Sequence, residues 1–102
     1  MANIQLISIQ PAIVTGKKYT ATFLMSNGLK KRIHFGAQGY SDYLLHNDRK
    51  RRERYRARHR RSFQNASIIS PAALSWYILW GDSTDIRRNI AFYKRLISQT
   101  GR

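Results

Sequence analysis

The stretch DRKRRERYRARHRR, residues 48–61, concentrates the chemistry of this chain. From Arg49 to Arg61, nine of thirteen positions are Lys or Arg, eight of them Arg, and Glu53 is the one acid. A guanidinium is always charged and presents a planar fork of donors, so such a row suits bidentate contact with phosphates or carboxylates and stacking on flat rings. Asp42, His46, Asp48, Tyr55 and His59 are spaced among these arginines. They read as a structural network that anchors some basic side chains so that the others face a ligand. On a helix, Asp48 reaches Arg51 and Arg52 at steps of three and four residues. The polyanion- or partner-binding set is therefore Arg49, Lys50, Arg51, Arg52, Arg54, Arg56, Arg58, Arg60 and Arg61. Asp42, His46 and Asp48 also have the donor types of a metal site, but the surrounding guanidinium charge opposes a cation. Catalysis needs a nucleophile or metal held by converging groups, and no such constellation is apparent. The expectation is a non-enzymatic protein without metal, cofactor or small-molecule substrate.

The charge is not confined to that stretch. The formal net charge is +14, and outside residues 49–61 the chain still carries ten basic residues against four acids. A compact body so charged repels itself, a penalty that an anionic partner relieves. DNA, an anionic membrane face or an acidic protein surface would each serve. A Lys/Arg-rich segment also suits a nuclear-localisation address. There is no cysteine, which removes disulfide scaffolds, thiolate metal ligands and thiol catalysis. The opening MANIQLISIQPAIV lacks the charged start and long apolar run of a secretory signal. The longest mostly apolar run, PAALSWYILW, has ten residues, whereas a spanning helix needs about 20.

The elements that must position the arginines are legible in outline. At 102 residues one domain, 1–102, is expected, and its class is α+β. Residues 1–16 read as an N-terminal strand or arm, although the alternation in IQLISIQ is imperfect. Residues 17–36 read as a β-hairpin. Tyr19, Ala21, Phe23 and Met25 share one face of its first strand, and Ile33 and Phe35 one face of its second. A three-residue loop, Ser26-Asn27-Gly28 with Gly28 left-handed, pairs Met25 with Leu29, Ala21 with Ile33 and Tyr19 with Phe35. Lys30, Arg32 and His34 form the other, basic face of the second strand. Ser41 is expected to cap an Arg-rich helical segment (40–61), which is either one long helix or two broken near Asn47-Asp48 with Asp48 capping the second. Leu44, Leu45 and Tyr55 would pin it to the hairpin, leaving the guanidinium groups to fan outward. After a loop at 64–67, Ser70-Pro71 opens a Trp-containing helix (71–80). Asp82, Ser83 or Thr84 caps a C-terminal helix (83–99), with Ile86, Ile90, Tyr93, Leu96 and Ile97 on one face and Gly101 as its stop. Four residues exceed one helical turn, so one of Trp76 and Trp80 is expected to be half exposed. Trp76 and Trp80 are the candidate protein-interface residues.

The segment GYSDYLLHNDRKRRERYRARH (39–59) resembles the signature of a family of small basic proteins encoded by nucleocytoplasmic large DNA viruses. The resemblance is carried by Gly39, Tyr40, Ser41, Asp42, Tyr43, His46, Asp48, Arg51, Arg52, Tyr55, Arg58 and His59 at the family's spacing. It extends to the preceding strand pair and to the following SWYILWG, and so covers roughly residues 17–81. The resemblance implies a minor structural, capsid-cement protein of a large double-stranded DNA virus particle. It would lie inside the capsid shell, having passed through host cytoplasm or nucleus during assembly. Its partners would be capsid or inner-capsid proteins, the genome or the inner membrane. The alternative is a DNA-binding protein that condenses or tethers the packaged genome.

Overall fold

A computed structural model describes residues 4–100. Three strands, β1 (Gln5–Pro11), β2 (Lys17–Leu24) and β3 (Lys30–Ala37), form an antiparallel sheet in the order β1-β2-β3. Helices α1 (Tyr43–His46), α2 (Arg49–Gln64), α3 (Pro71–Leu74) and α4 (Ile86–Thr100) follow. The fold is α+β. The broken alternation of IQLISIQ has a structural cause. Leu6 pairs with Phe23 and Ser8 with Thr22, so Ile7 is a bulge that shifts the pattern by one residue. The hairpin takes the expected register, with Ala21 opposite Ile33 and Tyr19 opposite Phe35. Its loop closes through Leu29 O accepting from Met25 N at 2.8 Å, with Gly28 at φ +87°.

One sheet face carries Leu6, Ala21, Phe23, Ile33 and Phe35 into the core. The helices supply Tyr43, Leu74, Ile78, Leu79, Trp80, Tyr93 and Ile97. Phe23 meets Tyr93 edge-on at 6.3 Å, and the Tyr93 hydroxyl donates to Ile68 O at 2.7 Å. Burial raises the phenol pKa of Tyr93 far above its ordinary value. Gly36, at φ +79°, lets Leu79 pack onto the backbone, where a Cβ would sit 2.9 Å from Leu79 Cδ1.

Several boundaries differ from those read in the sequence. Asp42, not Ser41, caps α1: its carboxylate accepts from Leu45 N at 3.2 Å and also pairs with Lys18 Nζ. Burial to 3% exposure is tolerated because the carboxylate is both paired and hydrogen-bonded. The Arg-rich segment is two helices, broken where Asn47 is left-handed at φ 57°, and Asp48 caps the second. The loop after α2 begins at Asn65. The Trp-containing helix enters through Ser70 and Pro71, then loosens into a π-helix over Ser75–Leu79, closed by Trp80 N donating to Ser75 O at 3.0 Å. Helix α4 starts at Ile86, later than expected, because Ser83 is engaged in the preceding loop. Its N–H and carbonyl both bond the Asn89 side chain, and its hydroxyl accepts from Asp85 N. Asp85 then accepts from Arg87 N at 3.0 Å in the first turn of α4. Gly101 lies outside the described residues.

Candidate polyanion-binding face and cleft

Helix α2 has no buried residue, so an apolar stripe does not hold it. Flat rings and two arginines do. Tyr55 lies parallel to Trp80 at 4.1 Å and 3°, and His59 stacks on Tyr55 at 4.2 Å. One turn further on, Phe63 lies parallel to Trp76 at 4.2 Å and 5°. Arg56 completes this inner face. Its Nε and Nη2 donate to Trp80 O at 3.1 and 3.0 Å, and its guanidinium sits 4.5 Å from the Trp76 ring centre. Arg52 donates through Nε to Gly81 O at 2.7 Å and through Nη2 to Asp82 at 2.6 Å, and it also lies over Tyr43. Residues 52, 55, 56, 59 and 63 follow three- and four-residue steps, so the sequence places them on one helix face.

That arrangement corrects three expectations. Trp76 and Trp80 are 7% and 9% exposed: both are core residues sealed by α2, not interface residues on the surface. Arg52 and Arg56 belong to the fold, since they serve the carbonyls that end the Trp-containing segment. The docking partner of α2 is also different, because Tyr55 meets Trp80 and Leu45 is exposed. The signal for these contacts is hard to read locally, because Arg52 and Asp82 lie 30 residues apart.

The rest of the expected network is local. His46 Nδ1 accepts from Asp48 N at 2.9 Å, and its ring tilts against Trp80 at 5.2 Å. Burial, then the charge of Arg51, lowers its pKa below the ordinary histidine value. Because Nδ1 accepts the Asp48 N–H, the ring proton sits on Nε2, an atom buried without a hydrogen-bond partner among the described residues. Asp48 turns to the backbone, accepting from Lys50 N and Arg51 N. The N–H of Arg51 is the largest cause of its lowered carboxyl pKa. Asp42, His46 and Asp48 are therefore committed separately. Among the described residues no group of three such side chains is placed to hold a metal ion.

What remains free is the outer surface of α2. Among the described residues the ion pairs involve Lys18, Arg52, Arg56 and Arg87. Arg49, Lys50, Arg51, Arg54, Arg58, Arg60 and Arg61 take no part in them, and all seven are exposed. Arg51, Arg54 and Arg58 share one flank and line a cleft of about 470 Å³ between α2 and residues 36–42. Tyr40, 74% exposed, lines it too, as do Tyr55 and His59, and the acid in its wall is Asp42, already neutralised by Lys18. The exposure of Tyr40 could not be read from a tyrosine count. The other basic surface is separate. Lys30, Arg32 and His34 line no part of this cleft. Lys30 and Arg32 are exposed, and His34 Nδ1 bonds Thr20 Oγ1 at 2.7 Å.

No helix among the described residues is long and apolar enough to cross a membrane. Residues 7–59, just over half of the chain, match a sequence family described as a family of unknown function (DUF5754). The matched region runs from the bulge of β1 to the last cleft residue of α2, and leaves out Trp76 and Trp80. No curated protein and no solved structure matches the chain.

Proposed function

The chain belongs to this family of unknown function (DUF5754), and from that premise and the geometry of α2 we propose that it is a non-enzymatic structural protein that engages anionic surfaces. One observation carries the reading: Arg51, Arg54 and Arg58 are held on a docked helix, without ion-pair partners among the described residues, beside a cleft whose one acid is already paired with Lys18. The fold supplies the rigidity through Arg52, Arg56 and the ring stacks, so the cost of ordering the helix falls on folding and not on binding. The resemblance to small basic proteins of large DNA viruses supplies the setting. The protein is a minor capsid-cement component inside the shell of the particle, where capsid or inner-capsid proteins, the inner membrane or the genome neutralise its charge.

Two measurements test this. Binding of the purified chain to duplex DNA, to anionic vesicles and to an acidic polypeptide is compared with that of the R51Q/R54Q/R58Q variant. The variant is expected to lose most of the affinity for the natural class of partner while melting like the wild type. Equal binding by the two proteins would refute the assignment of the face. In particles, a cement protein stays with shells emptied of DNA and washed in moderate salt. Departure with the genome would instead favour a second reading, in which the protein tethers packaged DNA. The eight-to-one excess of Arg over Lys in residues 49–61 supports that second reading, because Arg forks fit phosphates. Phosphate-mediated binding would fall by orders of magnitude over a roughly fourfold rise in salt.

A further inference from the structure

The cleft is more selective than a basic face needs to be. A charge stripe for duplex DNA or a membrane requires only outward arginines. Here three of them share a recess with an exposed ring, Tyr40, on the opposite loop. A volume of about 470 Å³ falls in the range that encloses a small molecule, roughly 300–1,000 Å³, and is far too small for a double helix. From Arg51 to Arg58 the helix axis advances about 10 Å, a span over which the three guanidinium groups can meet neighbouring phosphates of one strand.

Resting on the polyanion reading above, we infer that this cleft takes single-stranded nucleic acid, with phosphates on Arg51, Arg54 and Arg58 and an unstacked base on the ring of Tyr40. The division of labour follows from the groups present. Guanidinium forks take phosphate oxygens in pairs, while an exposed aromatic ring offers a stacking surface that every base can use. A duplex cannot enter, because its bases are paired and its width exceeds the recess. It reaches only the outer arginines. His59, stacked on Tyr55 at the cleft wall, extends the flat surface beside the arginines. An acidic peptide could satisfy the arginines, yet it has no use for the exposed ring of Tyr40.

The test uses the full chain and labelled oligonucleotides of one length, single-stranded and duplex, by fluorescence anisotropy, with polyglutamate as competitor. The single strand is expected to bind about fivefold or more tightly than the duplex. Y40A removes that preference, in line with one lost base stack, and leaves duplex binding within about twofold. Y40F retains the preference, because it keeps the ring. A 2-aminopurine placed in the single strand is quenched on binding to the wild type, a readout that needs no variant. Equal binding of both oligonucleotides, an unchanged preference in Y40A, or no quenching would each overturn the inference while leaving the polyanion reading in place. Displacement of the single strand by polyglutamate as readily as by unlabelled strand would overturn it in favour of an acidic protein. Failure of the wild type to bind any polyanion would overturn both.

Discussion

Two double variants of one helix separate support from binding. R52Q/R56Q and R51Q/R58Q each remove two positive charges from α2, so any general relief of self-repulsion is shared. The first pair loses three hydrogen bonds to the carbonyls of Trp80 and Gly81 and the contact of Arg56 with the Trp76 ring. Charge-assisted bonds of this kind contribute about 1.5–3 kcal/mol each, and unsatisfied buried carbonyls add to the loss. A cation over an indole contributes about 0.5–2 kcal/mol. The ion pair with Asp82 adds little, because Asp82 is 78% exposed on its side chain. Allowing for bonds that glutamine recovers, the net loss should be about 2–4 kcal/mol, against about 5–15 kcal/mol for a whole domain of this size. At a urea m-value of about 2 kcal/mol/M, the midpoint falls by about 1–2 M. Fluorescence reports it directly, since both tryptophans lie under α2. R51Q/R58Q touches no such contact and should stay within about 0.5 kcal/mol of the wild type. Equal destabilisation by the two pairs, or none by R52Q/R56Q, would refute the division of the helix into an inner and an outer face.

Other substitutions probe the supports of the site. Trp80→Ala removes a buried ring stacked on Tyr55 and in tilted contact with His46 and should cost about 3–5 kcal/mol, seen as a thermal midpoint lowered by more than about 10 °C. Gly81→Ala would set a Cβ 2.1 Å from Tyr77 O and 2.8 Å from Asn89. A loss of more than about 2 kcal/mol in urea unfolding is expected. Asn89→Ala orphans Ile78 O, Ser83 O and Ser83 N, for a loss of about 2–4 kcal/mol by the same measurement. Asp48 gives a pH signature. Its folded pKa is lowered, first by the Arg51 N–H, so its contribution is fully present above the ordinary value of 3.8 and is lost as pH falls through the folded value. Asp48→Asn, which keeps an acceptor, should flatten this part of the acid-unfolding curve.

Much of the frame was legible because it rests on local rules. Gly28 and the three-residue loop set the hairpin register, Ser70-Pro71 marks a helix start, and Asp48 stands out as a candidate cap, although one long helix and two were equally open until Asn47 proved left-handed. The period of α4 places Tyr93 and Ile97 in the core as expected. What escaped the sequence depends on distant partners. A run of arginines looks uniform until the carbonyls of Trp80 and Gly81 select Arg52 and Arg56 from it. Neither the burial of both tryptophans nor the exposure of Tyr40 follows from spacing. Each depends on where α2 lies. The choice of Asp42 over Ser41 as cap was settled by Lys18, which arrives from β2.

The shallow seating of α2 also has a kinetic side. A helix attached by ring faces and two guanidinium clamps, with no residue sunk into the interior, is expected to open before the sheet and α4 lose their packing, uncovering Trp76 and Trp80 as it does. Its amide protons should therefore exchange with solvent through a partial opening, at a lower free-energy cost than global unfolding. Whatever anion closes over the arginines will slow that exchange in α2 alone, so that protection factors along one helix become a local gauge of occupancy.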